Sequence, residues 1–239
     1  MDKAKKVQGR ADIPLNAYGR ELAEKTAEGL RGISFDLAYT SPLSRAKETA
    51  QIVLQGRKIP LIEEPRIQEI CFGDYEGIVY RGEGLDPQSA EFVKFFDDTA
   101  NYIPKGEGES VGQLMERVDG FLKALYQNPE LQDKMILLST HGAAVTAMKN
   151  CIKNEWSPAK FWQMGVPKNC AVTIVEVEGA SPKLSKKINY IIKTKIRKEP
   201  NIRGFFRIFN VLIFLLLSRQ CKSGAFLPSH HSRGIRRKW

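Results

Sequence analysis

Met135-Ile136-Leu137-Leu138-Ser139-Thr140-His141-Gly142 is the stretch on which the fold turns. Residues 135–139 form a short apolar run, too short for an ordinary helix and without the alternation of a half-exposed strand. Such a run reads as a strand buried on both faces, as in a parallel sheet. A histidine and a glycine follow at once. In open α/β sheets, ligands bind outside the carboxyl ends of the strands. His141 therefore stands at the mouth of a candidate site, where an imidazole can donate to an anion. Gly142 allows close backbone approach and opens a helix whose first N–H groups favour negative charge.

A second junction has the same design. Residues 35–40 read as a strand, followed by Ser41-Pro42-Leu43-Ser44-Arg45. Ser41 suits a helix N-cap and Pro42 the first helical position. The helix then runs to about Leu54, with Leu43, Ala46, Ala50 and Val53 on one face. Arg45 lies in its first turn, at the positive end of the helix dipole. That is an unfavourable place for a cation unless it serves an anion. Taken alone, Arg45 also reads as a solvated surface residue.

The rest of the chain fills in an alternating pattern. Helices are predicted over residues 17–30, capped by Asn16 and ended at Gly32, and over 87–99. A longer one is capped by Ser110 and stopped before Pro129, and another spans 142–153. Residues 59–63 read as a strand, and 171–178 and 184–192 as two closing strands. Strands alternating with helices predict an α/β three-layer sandwich, its mostly parallel sheet covered by helices on both faces. One domain is expected over residues 1–194, with 195–239 as a basic tail outside the fold.

Composition bounds the partners. The net charge is +10, and residues 195–239 account for all of it, with eleven Lys+Arg and one acid. A neutral body gives no reason to invoke nucleic acid. The four cysteines show no C-x-x-C spacing, so neither a zinc site nor a disulfide framework is indicated, and a reducing cytoplasm is expected. Residues 1–12 are polar and give no signal-peptide pattern. In the tail, residues 205–217 are apolar but interrupted by Arg207 and Asn210, and a spanning helix needs about 20 residues. A membrane anchor is thus not favoured, although basic residues flank the apolar patch. His230 and His231 belong to this tail and are not read as metal ligands.

The candidates collect into Gln8-Gly9, Arg45, Glu69 and His141-Gly142. Glu69 sits in Gln68-Glu69-Ile70-Cys71-Phe72-Gly73-Asp74-Tyr75-Glu76-Gly77, as a loop acid or as a general acid beside a cationic pocket. With Val7-Gln8-Gly9-Arg10, Asp12-Ile13-Pro14-Leu15-Asn16, Thr40-Ser41-Pro42-Leu43-Ser44-Arg45-Ala46, Gly108-Glu109-Ser110, Arg117-Val118 and Thr140-His141-Gly142 in order, the chain resembles the histidine phosphatase superfamily. That superfamily includes the cofactor-dependent phosphoglycerate mutases. The resemblance implies phosphomonoester hydrolysis through a phosphohistidine, with no metal or other cofactor. Arg45 corresponds to an arginine that grips phosphoryl oxygens bidentately. His141 corresponds to a histidine that stabilises growing charge, and Glu69 to the proton donor for the leaving oxygen. Gln8 and Gly9 correspond to a loop contacting a small phosphorylated metabolite, and Gly142 to a neighbour of the bound group.

One element of the pattern is missing. The family's nucleophile lies in an Arg-His-Gly motif on the first strand, and no Arg-His-Gly occurs in these 239 residues. The first strand is therefore expected to be absent and the chain, as it stands, inactive. Phe72-Gly73-Asp74-Tyr75-Glu76-Gly77 and the short segment from Gly77 to Gly108 look more like the phosphatase branch than the mutase branch. Mutase-type phosphotransfer is the alternative activity. A non-catalytic phosphate-binding protein and a tail-anchored peripheral membrane protein are the alternatives outside catalysis.

Overall fold

The computed structural model describes residues 5–178, 181–184 and 211–218, the last two as backbone. A short ribbon of β1 (Lys5–Lys6) against β4 (Val79–Arg81) stands apart from the main sheet. The main sheet holds β2 (Leu37–Thr40), β3 (Leu61–Glu63), β5 (Met135–His141), β6 (Val172–Glu178), β7 (Ser181–Leu184) and β8 (Val211–Ser218), in the order β3-β2-β5-β8-β6-β7. Five helices accompany it: α1 (Ala17–Gly29), α2 (Ser44–Leu54), α3 (Ser89–Asp97), α4 (Val111–Gln127) and α5 (Gly142–Ile152).

Alternation along the buried strands separates two cores, because successive side chains point to opposite faces. Leu137 of β5, with Val172 and Ile174 of β6, meets Leu30, Val53 and Leu54 beside α1 and α2. Ile136, Leu138, Val175 and Val177 point the other way, to Leu114, Val118 and Leu122 of α4 and Val145 and Met148 of α5. Helices therefore cover both faces, as the apolar pattern predicts. Ser110 closes α4 with a full capping box, its side chain accepting from the Gln113 N–H while Gln113 bonds back to the Ser110 N–H.

The sheet is more mixed than expected. β3, β2 and β5 run parallel, but β8 pairs antiparallel with β5 over the whole of Met135–His141 and parallel with β6. Residues 211–218 thus lie in the middle of the sheet, and the expectation that the tail lies outside the fold does not hold for them. Val211-Leu212-Ile213-Phe214-Leu215-Leu216-Leu217 is an unbroken apolar run, the pattern of a strand with neighbours on both sides. A strand follows at Ser181–Leu184, and of the expected strand over 184–192 only Leu184 lies among the described residues; His230 and His231 lie outside them as well.

Candidate active site

The two junctions meet at the carboxyl ends of β2 and β5, which pair in register from Leu37↔Ile136 to Thr40↔Ser139. The first departs from expectation. α2 begins at Ser44, and its N-cap is Leu43, without a side-chain cap. Ser41 does not cap the helix. Its hydroxyl lies 2.7 Å from His141 Nε2 and accepts weakly from the Leu43 N–H. Pro42 accordingly lies in the connection and not at the first helical position.

Arg45 remains in the first turn of α2 and is buried, at 2% exposure. Its guanidinium is not solvated. Nη1 donates to Ala11 O at 2.8 Å and Nη2 to Gly9 O at 2.7 Å. Burial lowers its pKa, opposed by the charges of Glu69, Asp12 and Glu76, but an arginine stays protonated. The loop it grips depends on glycine. Gly9 has φ +55°, and a Cβ there would overlap the Glu76 carboxylate. That carboxylate accepts from the Arg10 and Phe72 N–H groups at 2.8 and 3.0 Å.

Glu69 faces the second junction, 9% exposed. Its Oε1 accepts from the N–H of Ile70 at 3.0 Å and of Ala144 at 3.3 Å, and its Oε2 from the N–H of Ala143 at 3.3 Å. The free N–H groups at the start of α5 thus serve the Glu69 carboxyl rather than standing open for a ligand. Gly142, the first residue of α5, is buried and supports this turn. It is not among the residues lining the pocket. Burial raises the Glu69 pKa, against the lowering effect of those three N–H groups and of Arg45.

His141 ends β5 and is 1% exposed. Burial, with the charges of Arg45 and Arg117, lowers its pKa well below the ordinary value, so the ring is neutral at pH 7. With Nε2 engaged by Ser41, its Nδ1 is buried with no hydrogen-bond partner among the described residues. A buried polar atom without a partner calls for an explanation. Here His141, Arg45, Glu69, Gln8 and Gly9 line one pocket of about 450 Å³, into which a polar group can enter.

A supporting shell was invisible from local sequence. Glu109 accepts from Arg117 Nε at 2.6 Å and Nη2 at 2.8 Å, and from Arg10 Nη2 at 3.3 Å. Both arginines also donate to the Glu69 carbonyl, at 3.2 and 3.1 Å. They hold the backbone of the acid in place. The available signal was the motif spacing that placed Glu109 and Arg117 beside the same helix, without assigning either a role. Among the described residues, no group of three or more His, Cys, Asp or Glu side chains is arranged to hold a metal ion.

The family model of the histidine phosphatase superfamily (branch 1) matches residues 1–189. The chain belongs to that superfamily. An uncharacterized phosphatase, PhoE of Bacillus subtilis, is 35% identical over 143 residues, which are 60% of this chain and 66% of that protein. The adenosylcobalamin/alpha-ribazole phosphatase of Escherichia coli is 31% identical over 163 residues, 68% of this chain and 77% of that protein. Among solved structures, Bacillus stearothermophilus YhfR superposes with a TM-score of 0.64 at 25% identity, covering 80% of this chain and 97% of that one.

Proposed function

We propose that this protein is a phosphomonoester-binding member of the phosphatase branch, its phosphoryl site built from Arg45, Glu69 and His141. One observation carries the reading: Arg45, Glu69 and His141, all buried, line one pocket, and the Nδ1 of His141 has no hydrogen-bond partner among the described residues. Arg45 supplies fixed positive charge. His141 Nδ1 meets a phosphoryl oxygen, donating if the neutral ring carries its proton there. Glu69, protonated more readily than an ordinary carboxyl, is suited to hand a proton to the oxygen of a departing alcohol. Gln8 and Gly9 border the bound group. The partner is a small phosphorylated metabolite, and the free cysteines support a reducing, cytoplasmic setting.

The same reading holds that these 239 residues do not turn the ester over by themselves. Hydrolysis through a phosphohistidine forms an N–P bond as the ester P–O bond breaks, and this needs a histidine free to attack. His141 is the only histidine among the described residues, and it is assigned to charge stabilisation. The first, nucleophile-bearing strand is read as absent, with β8 in a central position between β5 and β6.

Two measurements on the purified chain test this. Inorganic phosphate titrated by calorimetry should bind, and Arg45→Met should abolish the binding. Nitrophenyl phosphate should not be hydrolysed. Hydrolysis that disappears in His141→Ala would refute the non-catalytic part, and absence of phosphate binding would refute the site.

A further inference from the structure

The pocket, about 450 Å³, is far larger than a phosphoryl group, and six aromatic side chains line it together with the phosphoryl residues. Tyr80, Phe96 and Trp162 are half-buried, and Phe72, Phe92 and Phe95 are buried. The three half-buried rings form a ladder. Tyr80 and Phe96 stack at 6.0 Å with planes 21° apart, and Phe96 and Trp162 at 5.7 Å and 27°. Trp162 is pinned by its indole N–H, which donates to Phe95 O at 2.7 Å. Val166, 51% exposed, adds apolar surface to the same lining.

Leaving apolar ring surface in contact with water is unfavourable, and a planar apolar group lying against it would remove that surface from water. Fixed, pre-stacked rings also lose little freedom when a ligand binds. The volume fits, since ligand pockets run from roughly 300 to 1,000 Å³ and combine apolar lining with a few convergent polar groups.

Resting on the phosphoryl site proposed above, we infer that the ligand is the phosphomonoester of an aromatic alcohol. Its phosphoryl group lies at Arg45 and His141, and its ring lies against Tyr80, Phe96 and Trp162. Glu69 lines the same pocket and faces the ester oxygen between them.

The test uses the full chain and three probes: inorganic phosphate, glycerol phosphate and naphthyl phosphate, each titrated calorimetrically. Naphthyl phosphate should bind about tenfold more tightly than glycerol phosphate, the order of effect that ring stacking gives in other sites. Phe96→Leu, at the middle of the ladder, should reduce that advantage while leaving the affinity for inorganic phosphate unchanged. Trp162→Phe provides a second variant that keeps an aromatic core should Phe96→Leu fold poorly. Equal affinity for the two esters overturns the aromatic assignment and leaves the phosphoryl site standing. An advantage that survives both variants overturns it as well. Failure of all three probes to bind removes the phosphoryl site and this inference together.

Discussion

The two strand-to-helix junctions look alike in sequence and do opposite things with their backbones. Between β2 and α2, three residues intervene, and the cation of the following helix turns back to take carbonyl oxygens from Gly9 and Ala11. Between β5 and α5 nothing intervenes. His141 ends the strand, Gly142 starts the helix, and the buried first-turn N–H groups of Ala143 and Ala144 take the Glu69 carboxyl. Arg45 sits against its helix dipole and is compensated by loop carbonyls. Glu69 sits with the dipole of α5 and is stabilised by it. Backbone atoms thus hold both side chains, and each also feels the other's charge in the pocket that both line.

Removing the charge at the first junction should have the largest effect. Arg45→Met keeps much of the side-chain volume but leaves the Gly9 and Ala11 carbonyls without their donor. Hydrogen bonds to charged groups contribute about 1.5–3 kcal/mol each, so a loss of about 3 kcal/mol in urea unfolding is expected. A variant within about 0.5 kcal/mol of the parent would mean that the guanidinium does not hold the loop.

Gly9→Ala attacks the same loop from its backbone. A left-handed φ and overlap with Glu76 both oppose a side chain there. A loss of about 2 kcal/mol is expected from strain of this kind. Because Gly9 O is an acceptor for Arg45, the double variant with Arg45→Met should be less destabilised than the sum of the two single changes. Strict additivity would show that the loop and the guanidinium act independently.

Ser41→Ala probes the contact that joins the junctions. It deletes the partner of His141 Nε2, at an expected cost of about 1 kcal/mol. It should also weaken phosphate binding, because the ring is then free to turn. Unchanged affinity would assign the orientation of His141 to packing alone.

Much of this arrangement was legible in the chain. The strand runs, the first-turn position of Arg45, the capping of α4 and the position of His141 at the end of β5 all rest on local patterns, and local patterns are what a sequence displays. Ser41 was misread because a serine before a proline fits a helix cap, whereas its bond to His141 joins residues 100 apart. The shell of Arg10, Glu109 and Arg117 escaped for the same reason, since Arg10 and Glu109 are 99 residues apart. β1 and β4 span two and three residues, too few for any periodicity to register. β8 has a strand-like composition, but nothing local says that a segment following β7 in the chain enters the centre of the sheet.

The subtlest effect separates the junctions by pH. The folded state raises the pKa of Glu69, so above the ordinary carboxyl value of about 4.3 it binds more protons than the unfolded chain. Stability from this group is complete below that value and is lost as pH rises through the raised pKa. His141 works in the other direction. Its pKa is lowered, so below the ordinary value of about 6.5 the unfolded chain binds more protons. Its contribution is complete above that value and is lost as pH falls toward the lowered pKa. Stability measured as parent minus Glu69→Gln should therefore decline with rising pH, and parent minus His141→Gln should climb. Bound phosphate, placed beside both groups, should favour protonation of each and so steepen the first slope and flatten the second. Two difference curves of the same sign would mean that one of these side chains is not held in the buried environment that sets its proton affinity.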